Sequence, residues 1–254
     1  MIAFCLVSSD HGTMIVNRLD YNDGNEGLYG VGNQILSAGQ YDIEAGGFLK
    51  SLRDDRRKSH GDGVVAVDCG ANIGVHSLEW ARHMREWGSV ISIEAQERIF
   101  YALAGNLMLQ NCFNARAIWA AVDRECGEMM VAEPDYSQPG SFGSLELKYR
   151  QSLTEYIGQC IDYEEPLLKV KTISMDSLNL PRVDLIKIDV EGMELDALVG
   201  ASETIRRCRP YLFIEVTKSE GIENLLHELG YSINRKMGMN VLAVSKVSKA
   251  LLVA

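Results

Sequence analysis

The chain has 254 residues, 46% of them hydrophobic and 24% charged, with a formal net charge of −10; this is globular composition with room for one large α/β domain and an appendage. So acidic a chain is a poor match for a phosphate backbone, which argues against a nucleic-acid substrate, and no apolar run approaches the roughly 20 residues of a membrane span. The six cysteines (Cys5, Cys69, Cys112, Cys126, Cys160, Cys208) are scattered without a C-x-x-C pair, and the short apolar start from Met1 to Val7 lacks a basic stretch before it, so free thiols, no structural zinc, no signal peptide and a cytoplasmic location are expected.

Residues 1–61 are expected to form an N-terminal cap or appendage to a domain over 62–254. Seven glycines between Gly24 and Gly47 interrupt this part. Asp42 is a candidate N-cap for a helix over about 42–56 that carries Phe48, Leu49 and Leu52. The charged run Arg53 to Lys58 reads as a solvated helix end and linker.

Residues 64–77 run Val-Val-Ala-Val-Asp-Cys-Gly-Ala-Asn-Ile-Gly-Val-His-Ser, which predicts a strand, a glycine turn and a helix over about 75–87. Glycine lets the backbone approach a ligand closely, and the free N–H groups of the following helix face it. The dinucleotide fingerprint G-x-G-x-x-G is not met: Gly70 and Gly74 are present, but Asn72 stands where a pyrophosphate needs bare backbone. Asp68 at the strand end suits a cationic ligand better than a phosphate. The pattern points to S-adenosyl-L-methionine rather than NAD, the bland alternative being a β–α turn that binds nothing.

From residue 64 a rhythm repeats. Apolar strands are predicted at 64–67, 90–93, 184–188 and 211–214, and an acid follows each: Asp68, Glu94, Asp189 and Glu215. Helical stretches at about 75–87, 97–111, 193–208 and 219–229 separate them. Such alternation implies a parallel sheet with helices on both faces and a ligand site beyond the carboxyl ends of the strands. Glu94, twenty residues after Gly74, is placed to accept ribose hydroxyls. A further strand is expected over Arg116 to Val122, with Asp123 at its end taking an adenine amine and Trp119 more simply packing in the core.

Residues 133–169 break the rhythm with a Pro- and Gly-bearing loop, a candidate substrate wall lined by Tyr136, Phe142 and Ser144. In the following strand Lys187 and Asp189 share one face. A lysine in an apolar strand is costly unless paired, so the two form either a structural ion pair or, with Glu191, the reacting end of the site. Short strands at 230–234 and 240–245 predict a closing antiparallel hairpin, where a dehydrogenase would continue with another βαβ half.

Four segments, Asp-Cys-Gly-Ala-Asn-Ile-Gly-Val-His (68–76), Lys-Ile-Asp-Val-Glu-Gly-Met-Glu (187–194), Leu-Val-Gly-Ala (198–201) and Arg-Pro-Tyr-Leu-Phe-Ile-Glu (209–215), resemble the FkbM-type methyltransferases over about residues 62–245. The resemblance implies a class I methyltransferase fold: α/β, Rossmann-like and doubly wound, with a mostly parallel seven-stranded sheet and a C-terminal antiparallel hairpin. It also implies S-adenosyl-L-methionine as cofactor and O-methylation of a small molecule or sugar. Carried over by position, Asp68, Gly70, Asn72 and Glu94 hold the cofactor, while Asp189 and Glu191 lie in the active cleft; the reading above adds Gly74 and Asp123 to the cofactor set. A proline frequent in the family soon after the acid is missing from Glu94-Ala-Gln96.

Methyl transfer needs alignment and a base for the acceptor hydroxyl. The candidates are His76, Asp189, Glu191 and Glu215. His76 is the residue type that titrates nearest neutrality, though it equally packs under the cofactor loop; Asp189 leads on orientation. Asp189 and Glu191 alone are too few ligands for a divalent ion, so no metal is expected. The expected partner is a hydroxylated small molecule or saccharide, not a nucleic acid or a membrane. Rival readings are an NAD-dependent oxidoreductase and a non-catalytic domain that binds adenosylmethionine.

Overall fold

The computed structural model describes residues 2–24, 27–148, 156–164, 167–216 and 221–246. The chain begins with an antiparallel hairpin of β1 (Phe4–Ser9) and β2 (Gly12–Asn17). A second short ladder, β3 (Asn22–Gly24) with β4 (Gly27–Tyr29), leads into α1 (Val31–Ala38) and α2 (Ile43–His60). Asp42 caps α2 by accepting the Ala45 N–H at 3.4 Å.

The predicted solvated run in α2 is corrected by the structure. Leu49, Leu52, Arg53 and Arg56 recur at helical spacing and all are buried. Arg53 lies over the Trp80 ring, 5.1 Å from its centre, and Arg56 Nε donates to Asp184 at 3.0 Å. Arg57 and Lys58 alone of the four basic residues in the run face water. Burial of the arginine stems against an apolar neighbour explains why charge content misled here.

The remaining elements are β5 (Val64–Cys69), α3 (Val75–His83), β6 (Gly88–Glu94), α4 (Glu97–Leu109), β7 (Ala115–Trp119), β8 (Ala121–Val122), β9 (Gly127–Ala132), β10 (Leu167–Ile173), β11 (Leu185–Ile188), α5 (Glu194–Val199), α6 (Ser202–Cys208), β12 (Tyr211–Glu215), α7 (Ile222–Glu228), β13 (Tyr231–Met237) and β14 (Asn240–Ser245). Seven strands form the main sheet in the order β13-β14-β12-β11-β5-β6-β7. The five from β12 to β7 are parallel, and β14 runs antiparallel to both β12 and β13. This is the class I methyltransferase architecture, Rossmann-like with a C-terminal antiparallel hairpin.

Strands covered on both faces are apolar on both faces. Alternate residues of β5 and β11 feed two cores: Val64, Ala66 and Leu185 pack with Leu78, Trp80 and Leu103, while Val67, Ile186 and Ile188 pack with Ala197, Leu198 and Ile205. Met14, Val16, Ile35 and Leu49 belong to the first of these cores, so described residues of the N-terminal segment pack into it. Among the described residues no helix is long and apolar enough to cross a membrane.

Three predicted elements differ. The strand expected over 116–122 breaks after Trp119: the Ala120 N–H donates to the Glu94 carbonyl at 3.1 Å, and Ala121–Val122 leave to pair in parallel with β10, itself antiparallel to β9. The loop expected over 133–169 therefore gives up Leu167 to Lys169 to β10, while its residues 149–155 and 165–166 lie outside the described residues. The helix expected over 193–208 is two helices, broken at Gly200, where a side chain would sit 2.2 Å from the Asp123 carbonyl oxygen. Residues 219 and 220 of the last predicted helix lie outside the described residues.

Candidate active site

Parallel strands all end at one edge, and along that edge lies a cavity of about 440 Å³. Its floor is the turn after β5. Gly70 has φ 77, and a Cβ there would lie 1.6 Å from the Asp189 carbonyl oxygen, so no other residue fits. Asn72 takes the left-handed conformation (φ 49), with its own Oδ1 accepting the Ile73 N–H at 2.7 Å.

Glu94, at the end of β6, holds this turn in place. Its Oε2 accepts the Asn72 N–H at 2.9 Å and its Oε1 the Gln96 N–H at 2.8 Å. Burial pushes the Glu94 carboxyl up to about 7, with those N–H groups pulling the other way. Gln96 in turn donates through Nε2 to the Phe142 carbonyl at 2.7 Å and accepts from the Tyr136 hydroxyl at 3.1 Å.

Beyond β5 a chain of polar contacts crosses the sheet. The Ser92 hydroxyl donates to Ser77 Oγ at 2.7 Å, and Ser77 donates to Asp68 Oδ2 at 2.6 Å. Lys187 Nζ lies 3.9 Å from Asp68 Oδ1 and donates to Asp189 Oδ2 at 2.6 Å. Burial alone would lower the Lys187 ammonium, but Asp189 and Asp68 more than offset it and hold it above its ordinary range. The Asp189 carboxyl is kept low despite burial, chiefly by Lys187. Glu215 is hydrogen-bonded to Asp189, and burial together with that bond pushes it up to about 10. Asp189 and Glu215 therefore titrate as a pair, with Glu215 the member pushed up.

Glu191 follows in the turn after β11, itself left-handed (φ 43). Ligand oxygens of Asp189, Glu191 and Glu215 lie within 4.8 Å of one another. Three acids, not two, thus meet here, because Glu215 ends the neighbouring strand; the set has the donors for a divalent ion, where the count from sequence stopped at two.

The cavity brings together Gly70, Asn72, His76, Glu94, Asp189, Glu191 and Glu215. Three residues expected at the ligand lie elsewhere. Asp68 does not line the cavity: it is 1% exposed, beneath the turn and bound to Ser77. Gly74 caps α3 (φ 92) and packs against Leu103. Asp123 takes the Lys148 ammonium at 3.1 Å, because β8 turns it away with the small sheet. Among the loop candidates Ser144 lines the cavity, whereas Phe142 is buried in the core with Tyr136 packed on it at 4.9 Å. Trp119 half-buries against Phe100 and donates to the Ala95 carbonyl at 2.9 Å.

His76 Nε2 lies 3.4 Å from Asp42 Oδ2, and its ring stacks on Trp80 at 6.0 Å. That contact keeps the Asp42 carboxyl below its usual range in spite of burial. Sequence reading missed the rest of this wall: Tyr29, Val31, Gln34 and Tyr41 from the N-terminal segment, and Met239 from the turn between β13 and β14.

Residues 68–233, about two thirds of the chain, match the family described as the methyltransferase FkbM domain. The chain is 27% identical over 191 residues to "Methyltransferase 1" of Beauveria bassiana (strain ARSEF 2860), covering 68% of this chain and 74% of that protein. It is 23% identical over 192 residues to "Methyltransferase sdnD" of Sordaria araneosa, covering 66% and 74%. The solved structure of a methyltransferase FkbM from Methylobacillus flagellatus KT superposes with a TM-score of 0.51 at 18% identity, over 72% of this chain. This chain spans 44% of that longer one, and the likeness is one of fold.

Proposed function

From the premise that the chain belongs to the FkbM methyltransferase family and is a methyltransferase, we propose that it transfers a methyl group from S-adenosyl-L-methionine to a hydroxyl of a small molecule or sugar. The observation that carries this reading is the order of acids along the cavity. Glu94 ends β6, β5 comes next, then Asp189 after β11 and Glu215 on β12. At about 4.8 Å per strand, Glu94 and Glu215 are roughly 14 Å apart, the reach of a nucleoside at one end and an acceptor at the other.

The residues fit such a cofactor. The cavity volume lies in the range of roughly 300–1,000 Å³ usual for cofactor sites. Glu94 accepts backbone N–H groups through both oxygens and keeps lone-pair capacity for a ribose hydroxyl. With Asp68 beneath the floor, Asp189 is the lining acid beside Gly70. When bound, S-adenosyl-L-methionine supplies a methyl group on a cationic sulfur, which leaves as a neutral thioether without help from an acid.

Asp189 is the proposed proton acceptor. Its carboxylate is oriented by Lys187 on one side and Glu215 on the other. A depressed pKa makes Asp189 a weak base, but the hydroxyl becomes strongly acidic as its oxygen gains the methyl group, so a weak base suffices. The wall from Tyr29 to Tyr41 covers the site, excludes water and aligns the acceptor. Asn72 supports this reading over an NAD-dependent one, since its side chain lines the cavity at the fingerprint's middle glycine position.

Calorimetric titration tests the cofactor. S-adenosylhomocysteine is expected to bind in the micromolar range, more weakly in Glu94→Ala, and NADH not at all. Tight NADH binding in place of S-adenosylhomocysteine would overturn the reading. Binding without transfer to any hydroxyl compound would favour a non-catalytic domain.

A further inference from the structure

We propose that His76 and Tyr41 hold the amino-acid end of the cofactor, and that Asp42 is the positioning residue that fixes the His76 ring for this. The proposal rests on the S-adenosyl-L-methionine reading of the cavity and adds to it the residues that take the cofactor's ammonium and carboxylate.

The sulfur of this cofactor carries three arms. In the reading above the adenosyl arm leads to Glu94 and the methyl group faces Asp189 and the acceptor, so the third arm needs polar groups of its own. Two stand where α2 and α3 begin. His76 lines the cavity and is 7% exposed, and its Nδ1 is buried without a hydrogen-bond partner among the described residues. A buried polar atom left unpaired is costly, and a bound ligand relieves that cost by pairing it. Tyr41 lines the same cavity, and its ring meets the His76 ring edge-on, 6.2 Å away. The Tyr41 backbone N–H donates to His11 Nε2 at 3.0 Å, while its hydroxyl makes no hydrogen bond among the described residues.

Place and chemistry agree. Both residues are near enough to Asp189 for the charges to act on one another, which puts them at the β11 end of the cavity, across β5 from Glu94. His76 meets Asp42 through Nε2, at 3.4 Å, so Nδ1 is the nitrogen left for a ligand. An α-amino acid pairs it in either state: the ammonium donates to a bare Nδ1, and the carboxylate accepts from a protonated one. Burial, with Asp189 beside it, keeps the Tyr41 hydroxyl protonated above its usual range, so it is a donor for the carboxylate.

The test is calorimetry on the full chain with S-adenosylhomocysteine and with 5′-methylthioadenosine, which keeps the adenosyl group and the sulfur but lacks the amino-acid end. His76→Phe and Tyr41→Phe keep a ring and remove the polar atoms. Each is expected to weaken S-adenosylhomocysteine at least about tenfold, for one hydrogen bond to a charged group, and to leave 5′-methylthioadenosine within about twofold. Asp42→Asn, which still caps α2, is expected to show the same selectivity with a smaller loss. Equal weakening of both ligands would reveal a purely structural role and overturn the proposal, as would unchanged S-adenosylhomocysteine binding in the two Phe variants. If the wild type binds neither ligand, the cofactor reading itself fails and the proposal falls with it.

Discussion

Asp20 accepts the backbone N–H of Phe142, 122 residues further along the chain, at 3.0 Å, and its other oxygen accepts the Gly32 N–H at 2.8 Å. One buried carboxyl thereby joins the N-terminal segment to the loop after β9. Val31, beside Gly32, and Ser141 and Gly143, beside Phe142, all line the cavity. The Gly140 N–H donates to the Leu19 carbonyl at 3.0 Å, and Asn17 donates to the Tyr136 carbonyl at 2.9 Å. The two walls are one hydrogen-bonded unit.

That contact gives a pH signature. Burial pushes the Asp20 carboxyl up to about 6, against N–H bonds that pull it down. Between about 3.8 and 6 the unfolded chain releases a proton that the folded chain keeps, so the stability from this group is present below that window and is lost as pH rises through it. Wild type is expected to lose roughly 2 kcal/mol relative to Asp20→Asn between pH 4 and pH 7. Urea unfolding at several pH values measures it, and parallel curves for the two proteins would refute it.

Glu94 is expected to make cofactor binding pH-dependent. A ribose diol donates best to an ionised carboxylate, and burial places Glu94 at about 7. The affinity for S-adenosylhomocysteine should therefore rise from pH 6 to pH 8. Glu94→Gln should bind at least about tenfold more weakly at pH 8 and show a flat profile, for loss of one charge-assisted bond. Calorimetry across that range decides.

Arg53 and Arg56, three residues apart on α2, should respond in opposite directions. Arg53 Nε and Nη1 find no hydrogen-bond partner among the described residues, so Arg53→Met keeps the stem and removes a buried charge; it should be neutral or stabilising. Arg56→Met takes a bond from Asp184, which is fully buried and keeps Arg182 at 2.7 Å. It should cost about 2 kcal/mol. Denaturant midpoints with unchanged slopes separate the two, and equal losses would sink the contrast.

Lys187→Met should be the most destabilising of the substitutions considered, by about 3–5 kcal/mol, because Asp189 and Asp68 lose their shared cation. Adding Asp189→Asn should recover part of the loss, making the double variant clearly less than additive. Strict additivity would mean that the pair is not coupled. The single variant Asp189→Asn should still bind S-adenosylhomocysteine while losing methyl transfer.

The glycine turn, the acids after each apolar strand and the closing hairpin are local signals, written in neighbouring residues as hydrophobic period and turn chemistry. From them the chain order of strands and helices, the edge that holds the site, and the places of Gly70, Asn72, Glu94 and Asp189 were legible. Arg53 and Arg56 were misread because charge predicts exposure only when no neighbour covers the stem and pairs the head. Asp123 was misplaced because the turn after Trp119 depends on β10, some 50 residues later.

By itself the sequence determined the doubly wound sheet and the family, since period and motif are properties of contiguous residues. Folding decided which side chains share the cavity. Tyr29, Gln34 and Tyr41 arrive from a segment whose pattern names no ligand, and Glu215 meets Asp189 because β12 lies beside β11. Whether an acid keeps its proton is likewise set by burial and by neighbours distant in the chain. Asp68 shows the limit from the other side: it stands where the motif puts it, and packing turns its carboxylate inward, to Ser77 and Lys187, as support for the turn above it.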